Sequence, residues 1–300
     1  MKKYMLIILS LLIATIIGGC TANIESSGNN QSSMEPITEY ETEIDTIPTE
    51  NETLSYEFNE ETETLTISGT GEIAFVSRSA PWEPPYADIE NPKHIIVSSG
   101  ITGLAPDCFS FCYHGNTGEA NNCYDKIETA EIADTVTYIG SGAFENCIGL
   151  KSIKLPKKLD TIEFSTFEGC VALEKIEIPH DVKSIGYSAF ADCEGLKKVI
   201  VHDGVETIEA EAFENCSSLT ELILPETLGT IKEYAFFGCT SMKSVNVPKN
   251  TNYIYPHAFG FYYDDNYELV KIDGFKIRGY KGTAAEKYAA NFGFTFEALD

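Results

Sequence analysis

The chain has 300 residues, 43% of them hydrophobic, and a formal net charge of −25. That length makes one or two ordinary domains or one array of repeats, with enough apolar residues for a sizeable core. So acidic a surface repels nucleic acid and anionic membrane faces, which excludes a bare DNA- or RNA-binding role.

Residues 1–19 read as a targeting segment and stand apart from the fold. A basic start, "MKKY", precedes the apolar run "MLIILSLLIATII", which is short for a spanning helix of about 20 residues. Ile17, Gly18 and Gly19 then lead into Cys20. This resembles the lipobox of bacterial lipoproteins. The resemblance implies that Cys20 is acylated, becomes the mature N-terminus and holds the protein on the outer, extracytoplasmic face of a bacterial cell membrane. An ordinary secretory signal with a chance Cys is the alternative. No second long apolar run follows, so nothing else is expected to span a membrane. Loss of Lys2 and Lys3 takes the charge to −27.

The stretch that follows is rich in Ser, Thr, Asn and Glu and poor in large apolar residues. Such a composition buries too little apolar surface to offset its conformational entropy. Residues 20–51 therefore read as a lipid-anchored disordered tether with a coil reach of roughly 30 Å. Residues 52–100 read as an N-terminal β cap. Within it, "TLSYEFNEETETLTISGTGEI" suggests a hairpin with Leu65 and Ile67 alternating inward and Gly69 and Gly71 as turn residues. The only tryptophan, Trp82 in "SAPWEPPY", is assigned to plugging the first repeat.

From residue 136 the chain repeats itself. Segments beginning at 136, 159, 182, 205 and 228 align without a gap at a period of 23: "VTYIGSGAFENCIGLKSIKLPKK", "LDTIEFSTFEGCVALEKIEIPHD", "VKSIGYSAFADCEGLKKVIVHDG", "VETIEAEAFENCSSLTELILPET" and "LGTIKEYAFFGCTSMKSVNVPKN". Phe144, Phe167, Phe190, Phe213, Phe236 and Phe259 form one column, and Cys147, Cys170, Cys193, Cys216 and Cys239 another. A fixed period in the twenties is the mark of a solenoid, whose units share one continuous core. In "LKSIKLP", the alternation Ile153–Lys154–Leu155 predicts a strand that Pro156 ends. "VTYIG" predicts a second short strand, and "SGAFENC" one helical turn.

The phrase IGxxAFxxCxxLxxIxLP resembles the BspA-like leucine-rich repeat of bacterial surface proteins. The likeness covers residues 101–260, with His202 in place of Pro and Met242 in place of Leu. In the last unit Pro256 intrudes and the Cys is lost, so that unit is expected to be frayed. The first unit holds twelve extra residues, about 113–124, and insertions of this kind emerge as loops on one face. The expected fold is thus a β-rich solenoid over residues 101–274, with two short strands and a helical turn per unit. It lies between an N-terminal hairpin cap and a C-terminal strand–helix–strand cap at 275–300. In the latter, Thr283 and Glu286 suggest a capping box and Gly293 a helix stop.

Nine cysteines in a secreted chain suggest disulfides. Yet stacked units hold equivalent side chains parallel and about 4.8 Å apart, which does not suit the disulfide torsion. The Cys column reads instead as a ladder of reduced, buried thiols donating weakly to backbone carbonyls. For Cys108 and Cys123, a loop disulfide and no bond stand equal. Cys108, Cys112, His114 and Cys123 have the atoms of a zinc site without a standard spacing. No nucleophile, metalloprotease or P-loop signature is present. Abundant carboxylates alone leave a paired-carboxylate glycosidase as a rival. No enzymatic activity, cofactor or metal is expected.

Surface binding remains. On the longer strand one outward column runs Lys154, Glu177, Ile200, Ile223 and Asn246, and its neighbour Ser152, Lys175, Lys198, Glu221 and Ser244. Ile200 and Ile223 break the polar rule in adjacent units, so the candidate ligand-binding residues are Ile200, Ile223, Lys175, Lys198, Glu177 and Glu221. The aromatic run with Phe261, Tyr262, Tyr263 and Tyr267 reads as an end plug with a loop. The resemblance implies an adhesin-like protein that binds a protein or glycan on host matrix, mucosal or bacterial surfaces. A structural or assembly component of the cell envelope is the alternative.

Overall fold

The computed structural model describes residues 53–73, 92–110 and 126–300. The targeting segment, Cys20, the tether, Trp82, Cys112, His114, Cys123 and the insertion at 113–124 lie outside the described residues.

Two families of parallel strands recur along the chain. The longer strands include His94–Val97, Thr129–Ile132, Ser152–Lys154, Lys175–Ile178, Lys198–Val201, Glu221–Ile223 and Ser244–Asn246. The shorter ones are mostly two residues long, as at Tyr138–Ile139, Thr161–Ile162, Ser184–Ile185, Thr207–Ile208, Thr230–Ile231 and Tyr253–Ile254. Partners along each ladder share the same repeat phrase: Val199 faces Ile176 and Leu222, and Ile208 faces Ile185 and Ile231. Short strands suffice because each coil is completed by its neighbours rather than by its own length.

The parallel ladder reaches back to Thr64–Ile73. Its first half pairs with His94–Val97 and its second half with Ile101–Leu104. Gly69 and Gly71 do not turn a hairpin. They lie within this strand at φ of 126° and 100°, where the chain passes from one sheet to the other. The hairpin turn comes earlier, between Thr53–Asn59 and Thr64–Ile73. There Asn59 Oδ1 accepts the Thr62 N–H at 3.0 Å, and Glu63 takes a φ of 51°. Asn is well suited to such a turn because its side chain mimics a backbone carbonyl.

The stretch read as one helical turn is instead a run of tight turns. Left-handed residues recur in it at Gly142, Ser165, Ser188, Glu211, Tyr234 and His257, and again at Asn146, Gly169, Asp192, Asn215 and Gly238. These interruptions prevent a helix. The glycines have a packing cause as well. A Cβ on Gly169 would lie 2.4 Å from Asn146 Oδ1, and one on Gly238 2.3 Å from Asn215 Oδ1. The amide of one coil thus occupies the place where the next coil has no side chain.

The core is a stack of rings. Phe109, Phe144, Phe167, Phe190, Phe213, Phe236 and Phe259 are fully buried, with successive centroids 4.9 to 5.4 Å apart. Beside them the thiols of Cys147, Cys170, Cys193, Cys216 and Cys239 donate to the carbonyls of Phe109, Phe144, Phe167, Phe190 and Phe213 at 3.1 to 3.3 Å. All five are free thiols, as is buried Cys108, which takes the place that Ala143 holds in the next coil.

The last coil is not frayed. Phe259 is as buried as the others. The helix Ala284–Phe292 brings Tyr288 beneath it. The Tyr288 hydroxyl accepts the Phe259 N–H and donates to the Phe259 carbonyl, both at 2.9 Å. Up to Phe213 the following coil supplies a partner to both groups: Phe213 N–H donates to the Ala235 carbonyl, and its C=O accepts the Cys239 thiol. The helix ends at Gly293 in the left-handed conformation, as its sequence suggests. Its start differs from a capping box. Thr283 Oγ1 donates to the Tyr280 carbonyl, and Glu286 accepts from the Gly282 N–H.

Phe190→Ala and Phe259→Ala should each lower stability by about 3–5 kcal/mol, since both rings are wholly enclosed. Tyr288→Phe should cost about 1–3 kcal/mol by leaving two buried backbone groups unpaired. Urea unfolding of the three variants checks this; a Tyr288→Phe protein as stable as the parent would show that water replaces the hydroxyl.

Candidate binding face on the longer-strand sheet

Side chains alternate across a strand, so inward Ile176, Val199 and Leu222 leave the residues between them on the outer face. The register sets Lys175 beside Lys198 and Lys198 beside Glu221. One pleat along, Glu177 lies beside Ile200, and Ile200 beside Ile223. All six residues singled out in the sequence therefore share one face across three adjacent strands. Ile223 is 50% exposed, while Ile200 is half-buried. The same outer column holds a further exposed isoleucine, Ile96, beside Glu131. It was legible in "HIIV" but lay before the first aligned repeat.

The charges around the isoleucines are paired. Lys198 Nζ lies 2.5 Å from Glu221 Oε2 and Lys175 Nζ 3.4 Å from Glu177 Oε2, while Glu177 Oε1 meets His202 Nε2 at 2.8 Å. The hydrogen bond from His202 lowers the Glu177 pKa most, desolvation opposes it, and Lys175 lowers it further. Exposed pairs of this kind are each worth about 0–1 kcal/mol. They fix side-chain positions around the apolar patch more than they stabilise the fold. Farther along, Lys151–Glu128 and Lys197–Glu174 repeat the motif of a lysine reaching back one coil, at 2.7 and 2.9 Å.

The turns carry a different surface. Here Glu145, Glu168 and Glu214 have pKa values raised by burial first and by neighbouring carboxylates second. Glu214 is pushed up to about 7, with Glu211, Asp192 and Glu168 as the contributing charges. Glu211 accepts from the Tyr187 hydroxyl, and Glu168 from Ser165 Oγ at 2.5 Å. The Tyr187 ring stacks on exposed Phe164 at 5.6 Å. Among the described residues no group of three or more His, Cys, Asp or Glu is arranged to hold a metal ion. The aromatic run forms an antiparallel hairpin, Phe261–Tyr263 with Leu269–Lys271. Its Phe261 is buried against Phe292 and Phe294, while Tyr263 and Tyr267 are exposed.

A family model of the BspA type leucine rich repeat region matches in six copies, over residues 117–218 and 160–273. The two spans together take in just over half of the chain. It belongs to the BspA type leucine rich repeat family. No curated protein matches it. Solved structures match at low identity. A leucine rich repeat protein of T. pallidum is 19% identical, covering 63% of this chain and 87% of its own, with a TM-score of 0.38. A leucine rich cell surface protein of Faecalibacterium prausnitzii is also 19% identical, covering 84% and 67%, with a TM-score of 0.46. A pneumococcal vaccine antigen is 12% identical, covering 84% and 98%, with a TM-score of 0.29. Among the described residues of this family member, no helix is long and apolar enough to cross a membrane.

The raised Glu214 pKa gives a pH dependence with a definite sign. Its ordinary value is 4.5, so the folded state resists ionising it. The penalty is absent below about 4.5, grows from there and is complete above about 7. This carboxylate therefore makes the protein more stable as pH falls from 8 to 5. Glu214→Gln should raise stability at pH 8 by on the order of 1 kcal/mol and flatten the Tm gain between pH 8 and pH 5. A Tm profile of the variant parallel to the parent's would refute the assignment.

Proposed function

We propose that this protein is a lipid-anchored binding module of the bacterial cell surface, adhesin-like, whose longer-strand sheet takes up a macromolecular partner. Family membership supports a binding scaffold rather than an enzyme. The observation that carries the reading is the Ile200–Ile223 pair, side by side in adjacent strands within a frame of paired charges. Burying such side chains is worth about 1.5–3 kcal/mol each at most. Lys175, Lys198, Glu177 and Glu221 would set the orientation of the partner more than its affinity. The negative charge of the chain favours a basic partner surface, with an association rate that falls as salt rises. Protein or glycan ligands of host matrix, mucosal or bacterial surfaces are the class proposed, with Cys20 as the lipidated anchor.

Two experiments test it. Binding is measured to immobilised matrix proteins and mucin, for the parent and for Ile200→Ser/Ile223→Ser. The double variant should keep its fold, since neither side chain enters the core, and should bind at least about tenfold more weakly. Unchanged affinity for a ligand bound by the parent would remove this face from consideration. Separately, Cys20→Ser should shift the protein from the membrane fraction to the medium; retention in membranes after a mild salt wash would contradict the anchor.

A further inference from the structure

The two sheets end differently. The longer-strand sheet continues past Ser244–Asn246 into Lys276–Gly279 and Thr295–Ala298. The shorter-strand sheet stops at Tyr253–Ile254, which pairs with Thr230–Ile231 on one side and with no described strand on the other. The ladder decides which groups are left over. The N–H groups of Tyr253 and Tyr255 donate to the carbonyls of Gly229 and Ile231 at 3.2 and 2.9 Å. In a parallel ladder the intervening residue then turns its peptide groups the other way. Among the described residues neither the N–H nor the C=O of Ile254 has a partner, and the Asn252 C=O is left over beside them. The corresponding carbonyls one coil earlier, on Gly229 and Ile231, are both taken.

What these groups face is a groove of about 430 Å³ between the strand and the helix Ala284–Phe292. Tyr253, at 64% exposure, and Tyr255 offer ring surface on one wall; Lys287 and Asn291 stand on the other. Charge distinguishes the occupant. In a chain of net charge −25, no Asp or Glu among the described residues lines this groove. Lys287 opens onto it, and the Lys232 ammonium lies 5.1 Å from the centroid of the Tyr255 ring. An uncovered edge is a template for another strand. Here the edge has the length of one short pairing and a cationic wall.

We propose that this groove is a second binding site, which takes an extended acidic peptide segment of a partner protein as an added parallel strand. The peptide carbonyl accepts the Ile254 N–H. Its own N–H groups donate to the Ile254 and Asn252 carbonyls. Alternate side chains lie on the tyrosine rings, and an intervening carboxylate pairs with Lys287. Main-chain bonds supply affinity in such strand addition, and the side-chain pockets supply selectivity. The site is remote in sequence from Ile200 and Ile223 and does not depend on that face.

The test uses the folded protein and a fluorescent synthetic peptide that alternates Glu with Thr and Val, read by anisotropy. Two control peptides accompany it: one N-methylated at alternate residues, which removes the backbone donors, and one with Lys in place of each Glu. The acidic peptide should bind saturably. N-methylation, Lys replacement and the Lys287→Glu variant should each weaken binding about tenfold or more. Ile254→Pro should do the same while retaining every bond to Thr230–Ile231, because proline is tolerated where the strand N–H faces outward. Its thermal unfolding is recorded alongside, and the N-methylated peptide on the parent protein gives the same information without a mutation. Absence of binding by the acidic peptide at millimolar concentration overturns the proposal. Equal affinity for the N-methylated peptide overturns strand addition, and equal affinity for the Lys peptide or of Lys287→Glu overturns the acidic chemistry.

Discussion

The backbone of each core phenylalanine is finished by the coil that follows it. Its N–H donates to a carbonyl of the next turn, while through most of the stack its C=O, which accepts the N–H of its own coil's Cys, also receives a thiol from the Cys of the next coil. The N–H has no partner within its own coil, and a buried peptide group without a partner costs about 1–3 kcal/mol. A single coil is therefore incomplete by construction. This one dependence explains the ring stack, the thiol column and the need for Tyr288, whose one hydroxyl performs both functions at the point where the repeats stop.

With the inward positions fixed in this way, variation is confined to the outward ones. The same lattice that repeats Phe and Cys every coil presents Lys, Glu and Ile in rows on the outer sheet face, and carboxylates in rows on the turns. The two surfaces differ in kind. On the sheet Lys175 and Lys198 each meet a carboxylate, so charge is locally balanced around an apolar pair. On the turns acids face acids, and desolvation raises their pKa values. Binding energy is more readily found on the first surface, because an apolar pair is desolvated there without stranding a charge.

Much of the stack was legible in the sequence because the signal is repeated. A lone Phe in a short apolar phrase says little, but six in one column fix an inward position. The same redundancy placed Ile200 beside Ile223 before any coordinates. What the sequence did not reveal depends on non-repeating contacts. Gly69 and Gly71 resemble turn glycines, yet they sit where one strand serves two sheets, a role with no counterpart elsewhere in the chain. The left-handed residues in the stretches that correspond to "SGAFENC" include Ser165, Ser188, Glu211 and Tyr234, none of which announces a positive φ. Tyr288 lies in an ordinary amphipathic helix, and nothing local indicates that its hydroxyl replaces an absent coil. The orphan edge at Ile254 follows only from knowing that no later strand returns to that side.

The fixed register has a consequence for how such a chain can change. Since every coil meets its neighbours through the same Phe, Ala and Cys positions, removing one whole unit would rejoin two compatible surfaces. Duplicating one would insert a surface compatible with both sides. Losing or gaining part of a unit would instead set Cys opposite Phe and bring side chains into the sites that Gly169 and Gly238 leave open to their neighbours' amides. Length is thus quantised in this gene, and a recombination event of the right size can move the outer isoleucines closer to or farther from the helix Ala284–Phe292 that closes the stack, without disturbing the core that carries them.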